Sequence, residues 1–150
     1  MHDTTRKPAR IVVIEDNPGD VHLFREAFDQ VGEPYQLEVL SDGAAALRFL
    51  EDQRRREDEE PDPCLIVLDV QLPKYDGIAV LTAIRQDPNL SHLKVAVVST
   101  ITSPQQEAEI LRLGVHLLRR KPISLEEFLD LGRELIALCH EHATRVAFTS

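Results

Sequence analysis

The chain has 150 residues, 43% of them apolar and 29% charged, which suits one globular domain and excludes fibrous or disordered classes. Its formal net charge of −9, from 17 Lys and Arg against 26 Asp and Glu, argues against general binding to nucleic acid or anionic lipid, because phosphate contacts need cations. The start is polar up to Arg10 and the longest apolar runs, Cys64 to Leu68 among them, have five residues, so neither secretion nor a membrane span is expected and the cytoplasm is the expected compartment.

The first predicted element is Ile11 to Ile14, a short β-branched run of the kind buried on both faces of a parallel sheet. Asn17 and Pro18 are N-cap and first-turn chemistry for a helix whose face carries Val21, Phe24, Ala27, Phe28 and Val31. Leu37 to Leu40 is a weaker strand, suited to an edge, and the Asp42-Gly43 turn leads into a helix with Ala46, Leu47 and Leu50 on one face. Asp52 to Pro63, with Arg54-Arg55-Arg56 followed by Glu57-Asp58-Glu59-Glu60, reads as a helix end and a solvated loop. Cys64 to Leu68 is the third strand. Asp76-Gly77 is a turn signal before a short helix with Ile78, Leu81 and Ile84, which Asp87-Pro88 ends. Val95 to Val98 is the fourth strand. Ser103-Pro104-Gln105-Gln106 starts a helix that stops at Gly114. Val115 to Leu118 is the expected fifth strand, and Ser124 to Glu127 is a capping box before a stripe of Phe128, Leu131, Leu135 and Leu138. Strand and helix alternate five times, so the expected fold is α/β, a doubly wound parallel sheet with helices on both faces.

Ligands of such sheets bind beyond the carboxyl ends of the strands. Glu15 and Asp16 follow the first strand, Asp69 the third, Ser99 and Thr100 the fourth, and Lys121 the fifth. Three close carboxylates repel one another and need a cation, and an all-oxygen donor set favours Mg²⁺ over zinc. A carboxylate can attack phosphorus, and a lysine and a hydroxyl can then neutralise and orient the phosphoryl oxygens. Singly, each acid suits a cap or a turn as well. Together they suit an aspartate that accepts a phosphoryl group.

These residues carry a resemblance. Ile11 to Asp16 (IVVIED), the D-x-x-L-P-x-x-D-G pattern from Asp69 to Gly77, Ser99 and Lys121-Pro122 resemble the response-regulator receiver domains of two-component signalling. The separations, 30 residues from Asp69 to Ser99 and 22 more to Lys121, fit that family. The resemblance implies a flavodoxin-like strand order 2-1-3-4-5, with residues 1–8 as a tail, 9–139 as the receiver domain and 140–150 as an extension. It implies that Asp69 accepts a phosphoryl group from a histidine kinase. It assigns Glu15, Asp16, Asp69 and the backbone carbonyl of Gln71 to Mg²⁺, Lys121 to the phosphoryl group, and Ser99 to reading the event. It also implies a cis peptide before Pro122. The Asn17-Pro18-Gly19-Asp20 opening, the charged loop before the third strand and the L-P-K-x-D-G segment are similar to small single-domain regulators partnered with bacterial phytochrome kinases.

Two positions depart from the family. Leu118 stands where it has an aromatic switch residue, and Ile101 stands where a polar side chain positions hydrolytic water, so slow self-dephosphorylation is expected. A dozen residues follow Leu138, so output by protein contact is expected, with a homodimer formed through the last helix and a tail containing Val146 and Phe148. No glycine pair has phosphate-loop spacing. His140-x-His142 reads as solvated, and Cys64 and Cys139 each read as small buried hydrophobes rather than disulfide or metal partners. Two other functions are considered. An aspartyl-phosphate phosphatase needs a second acid two residues after its nucleophile, where this chain has Gln71. A binding domain keeping only the fold has no need of all five site groups.

Overall fold

The computed structural model describes residues 8–55, 62–72, 76–101 and 103–141. Five β/α units follow in order: β1 (Ala9–Ile14), α1 (Pro18–Val31), β2 (Tyr35–Leu40), α2 (Gly43–Arg55), β3 (Leu65–Leu68), α3 (Gly77–Gln86), β4 (Val95–Ser99), α4 (Pro104–Leu113), β5 (Leu117–Arg120) and α5 (Leu125–His140). All strand pairs are parallel, in the order β2-β1-β3-β4-β5. The expected strand order is thus found, and β2 is an edge strand. The chain goes outward from β1 to β2 and returns to β3, so the topological switch point lies between β1 and β3.

The capping chemistry read from the sequence is present. Asn17 Oδ1 accepts from the N–H of Gly19 at 2.8 Å and of Asp20 at 3.2 Å. Asp76 accepts from Ile78 N–H at 2.6 Å, and Ser103 from Gln106 N–H at 3.1 Å. At α5 the box is skewed. Ser124 Oγ accepts from Glu127 N–H at 3.2 Å, but Glu127 reaches back to the N–H of Ile123 at 3.1 Å rather than to that of the cap. Gly32, with φ of 81°, takes the left-handed conformation after α1.

Strand alternation divides the apolar side chains between two cores. Val12, Ile14, Ile66, Leu68, Val95 and Val97 face α2, α3 and α4 through residues such as Leu50, Leu81 and Ile110. Ile11, Val13, Leu65, Val67, Ala96 and Val98 face α1 and α5 through Phe24, Phe28, Phe128 and Leu135. The β1, β3 and β4 runs read as continuous apolar stretches because both of their faces are covered.

Three expectations need correction. The fifth strand begins two residues late, at Leu117, and runs on through exposed Arg119 and Arg120. It pairs on one side only, so it does not need an unbroken apolar run. Val115 is instead a buried residue of the preceding loop, where His116 N–H donates to Val95 O at 2.8 Å. The Lys121–Pro122 peptide is trans. Cys64 and Cys139 are half-buried and touch, Sγ to Sγ 2.6 Å, where two separate buried hydrophobes were expected. His140, read as solvated, is exposed as expected and also pairs with Glu33 at 2.8 Å. Among the described residues no helix is long and apolar enough to cross a membrane. The tail up to Lys7, the acidic run Glu57 to Glu60, the segment 73–75, and His142, Val146 and Phe148 lie outside the described residues.

Candidate functional site

The sheet ladder itself positions the site. Glu15 N–H donates to Leu40 O at 3.0 Å, Asp69 N–H to Ile14 O at 3.0 Å, and Lys121 N–H to Ser99 O at 3.2 Å. Glu15, Asp69, Ser99 and Lys121 are therefore fixed, backbone first, by the ends of β1, β3, β4 and β5. Glu15, Asp69 and Ser99 are buried polar residues, at 2%, 3% and 0% exposure, in a molecule whose other buried side chains are almost all apolar. Buried polar groups of this kind need partners.

Asp69 has partners on both oxygens. Its Oδ1 accepts from Ser99 Oγ at 2.7 Å and from the N–H of Gln71 at 2.8 Å. Its Oδ2 lies 2.8 Å from Lys121 Nζ. The ammonium of Lys121 also lies 2.7 Å from Glu15 Oε1 and 2.8 Å from Asp20 Oδ2. Lys121 reaches this point with a trans peptide before Pro122, because β5 carries the chain directly to the rim.

Each partner leaves an electrostatic mark. Burial pushes the Glu15 carboxyl up to about 7, with help from the charge of Asp69 and against the hydrogen bonds from Lys121 and Asn17. Burial works against the Lys121 ammonium, but its hydrogen bonds to Asp20, Asp69 and Glu15 outweigh that and hold its pKa above the ordinary lysine value. Glu15, Asp16 and Asp69 each bring a carboxylate oxygen within 4.8 Å of the others. Asp16 is exposed and Glu15 buried, so the cluster opens on one side to solvent. Such a set of oxygens, one of them on a carboxyl that resists ionisation alone, fits a divalent cation.

The structure thus brings Glu15, Asp16, Asp69, Ser99 and Lys121 to one rim. Gln71 lies beside them through its N–H to Asp69, and its side-chain amide donates to Thr100 O at 3.4 Å. Sequence reasoning missed Asp20. It lies in the first turn of α1, where an acid is also ordinary helix-terminus chemistry, and it is 101 residues from Lys121. The Asn-Pro-Gly-Asp opening was the available signal.

A family model described as the response regulator receiver domain matches residues 11–133. Response regulator Rcp1 of Synechocystis sp. is 33% identical over 131 residues, covering 87% of this chain and 88% of Rcp1. The crystal structure of Mn²⁺-bound Rcp1 superposes with a TM-score of 0.78 at 31% identity, covering 93% of this chain and all (100%) of that one. That of the phosphorylated cyanobacterial phytochrome response regulator RcpA gives 0.80 at 28% identity, covering 94% and 100%. With the strand order and the rim residues in place, the chain belongs to the response regulator receiver domain family.

Proposed function

We propose that this chain is a single-domain response regulator whose Asp69 accepts a phosphoryl group from the phosphohistidine of a histidine kinase, with Mg²⁺ as cofactor. The observation that carries the reading is the buried Asp69 carboxylate with Lys121 on one oxygen and Ser99 on the other. A carboxylate oxygen of Asp69 bonds to phosphorus as the phosphorus–imidazole nitrogen bond breaks, and the electron pair leaves on the imidazole. Lys121 neutralises the new phosphoryl oxygens. Ser99 Oγ, which donates to Asp69 Oδ1, turns its hydroxyl to a phosphoryl oxygen and so couples β4 to the event. Glu15, Asp16, Asp69 and the carbonyl of Gln71 would hold the cation, which when bound offsets phosphoryl charge and orients the incoming group.

A phosphatase would need a proton donor for its leaving group. Gln71 offers only amide donors at the position where that acid is required, so turnover of phosphomonoesters is not supported. The likeness to the phytochrome response regulator RcpA and to the bacteriophytochrome response regulator AtBRR favours a phytochrome-type kinase as the donor. Signalling by contact in the cytoplasm, with a homodimer through α5 and the residues after it, completes the proposal. A chain lacking residues 142–150 should then lose solution mass relative to the full chain, and equal masses would remove the dimer's tail contact.

The central test is incubation with Mg²⁺ and acetyl phosphate followed by intact mass measurement. One added phosphoryl group, absent in Asp69→Asn, is expected. Continuous turnover of phosphomonoesters would favour the phosphatase, and no adduct would favour a binding domain.

A further inference from the structure

Two thiols meet at the opposite end of β3 from Asp69. Cys64 immediately precedes the strand, and its N–H donates to Arg10 O at 2.8 Å. Cys139 lies in the last turn of α5. Their sulfurs are in contact at 2.6 Å although the residues are 75 apart in sequence. Both side chains are half-buried and so open in part to solvent. Lys94, immediately before β4, donates to the carbonyl of Leu138 at 2.8 Å and to that of Glu141, which caps α5 and places an ammonium beside the pair.

We propose that Cys64 and Cys139 are a redox modification site: by exchange with a small disulfide such as oxidised glutathione they form an intramolecular bond that ties the end of α5 to the start of β3. The Cys64 thiolate attacks one glutathione sulfur, and the other glutathione leaves as a thiolate. Cys139 then gives its proton to solvent and attacks Cys64 Sγ, which displaces the second glutathione. Two protein thiols are oxidised by two electrons and one glutathione disulfide is reduced to two thiols.

The order of attack follows from the surroundings. The hydrogen bond shared with Cys139 holds the Cys64 thiol below its ordinary pKa against the effect of burial, and the ammonium of Lys94 adds to this. The hydrogen bond with Cys64 and burial push the Cys139 thiol well up. Cys64 is the attacking group and Cys139 the resolving one. In a reducing compartment such a bond is transient and reports redox state rather than holding the fold together. The pair lies away from the acidic rim, so the site stands whether or not Asp69 takes a phosphoryl group.

The test uses the full chain, oxidised glutathione, iodoacetamide and intact mass measurement in denaturant. The chain has two cysteines, so the expected product is a monomer lighter by two hydrogens that takes no alkyl group. After dithiothreitol it should take two. Cys64→Ser and Cys139→Ser should each form no internal bond and keep one sulfur open to alkylation or glutathione. Two alkylated thiols after oxidation, stable glutathione adducts on both cysteines, or a dimer linked between chains would overturn the proposal. The oxidised chain should also melt roughly 5 °C or more above the reduced one, because the bond closes a long loop. Equal midpoints would overturn the tie between α5 and β3.

Discussion

Lys121 is one cation shared by Glu15, Asp20 and Asp69, at 2.7, 2.8 and 2.8 Å. Asp20 competes for the ammonium with the two acids that also belong to the cation cluster. Asp20→Asn should leave Lys121 more firmly on Glu15 and Asp69 and so weaken divalent cation binding. The expected loss is about three- to tenfold, or up to about 1.4 kcal/mol, read by calorimetric titration with Mg²⁺. Unchanged or tighter binding would show that Asp20 has no such pull. Ile101 is a second residue with a distinct expectation. It is half-buried beyond β4 and has no polar group to orient water. Ile101→Glu should therefore speed the loss of label from the phosphorylated chain, and an unchanged rate would detach this position from water access.

The elements hold these residues by close backbone packing. Gly77 opens α3 under the turn that follows Asp69. A Cβ there would meet Val70 Cα and would lie 2.6 Å from Asp69 O, both of them backbone atoms. Gly77→Ala should cost about 1–3 kcal/mol in urea unfolding and lower the yield of phosphorylated chain, since the turn carrying Asp69 must shift. A stability within about 0.5 kcal/mol of the parent would mean that the turn adapts freely. At the other side of the sheet, Tyr35 joins edge strand β2 to α1 by donating to Asp29 Oδ1 at 2.6 Å. Burial and this hydrogen bond push the phenol up to about 12. The neutral phenol is thus favoured by folding. Its contribution is complete below the unfolded phenol value of ~10 and is lost as pH rises through about 12. The free energy of unfolding measured from pH 9 to 12 should fall more steeply for the parent than for Tyr35→Phe, and parallel curves would contradict the assignment. The strands at the centre of the sheet were legible because both faces are covered and their residues are uniformly apolar. The helices were legible because Asn17, Ser103 and Ser124 cap them by local hydrogen bonds. The fifth strand was misplaced by two residues because its pairing is one-sided and it tolerates Arg119 and Arg120. Glu15, Asp16, Asp69, Ser99 and Lys121 were legible because each lies at or just past the carboxyl end of a strand. Asp20 and the Cys64–Cys139 contact were not, since only the packing of distant segments brings those groups together.

For the whole molecule the governing feature is the sheet with a separate apolar core on each face. Phe28 lies wholly in one core and Leu81 in the other, with no exposed surface on either. Phe28→Ala should cost about 3–5 kcal/mol and Leu81→Ala about 2–5 kcal/mol. The double variant should equal their sum within about 0.5 kcal/mol, as measured by urea denaturation, and a larger departure would show that the two sides communicate. The sheet is then a bulkhead between two compartments. If the two costs add, erosion in one of them, through a cavity or a mismatched side chain, stops at the strands before it reaches its neighbour. The rim carboxylates grow from the edge of that bulkhead, so apart from the close approach of Gly77 to the Asp69 turn, drift deep in either compartment is held at a distance from Asp69.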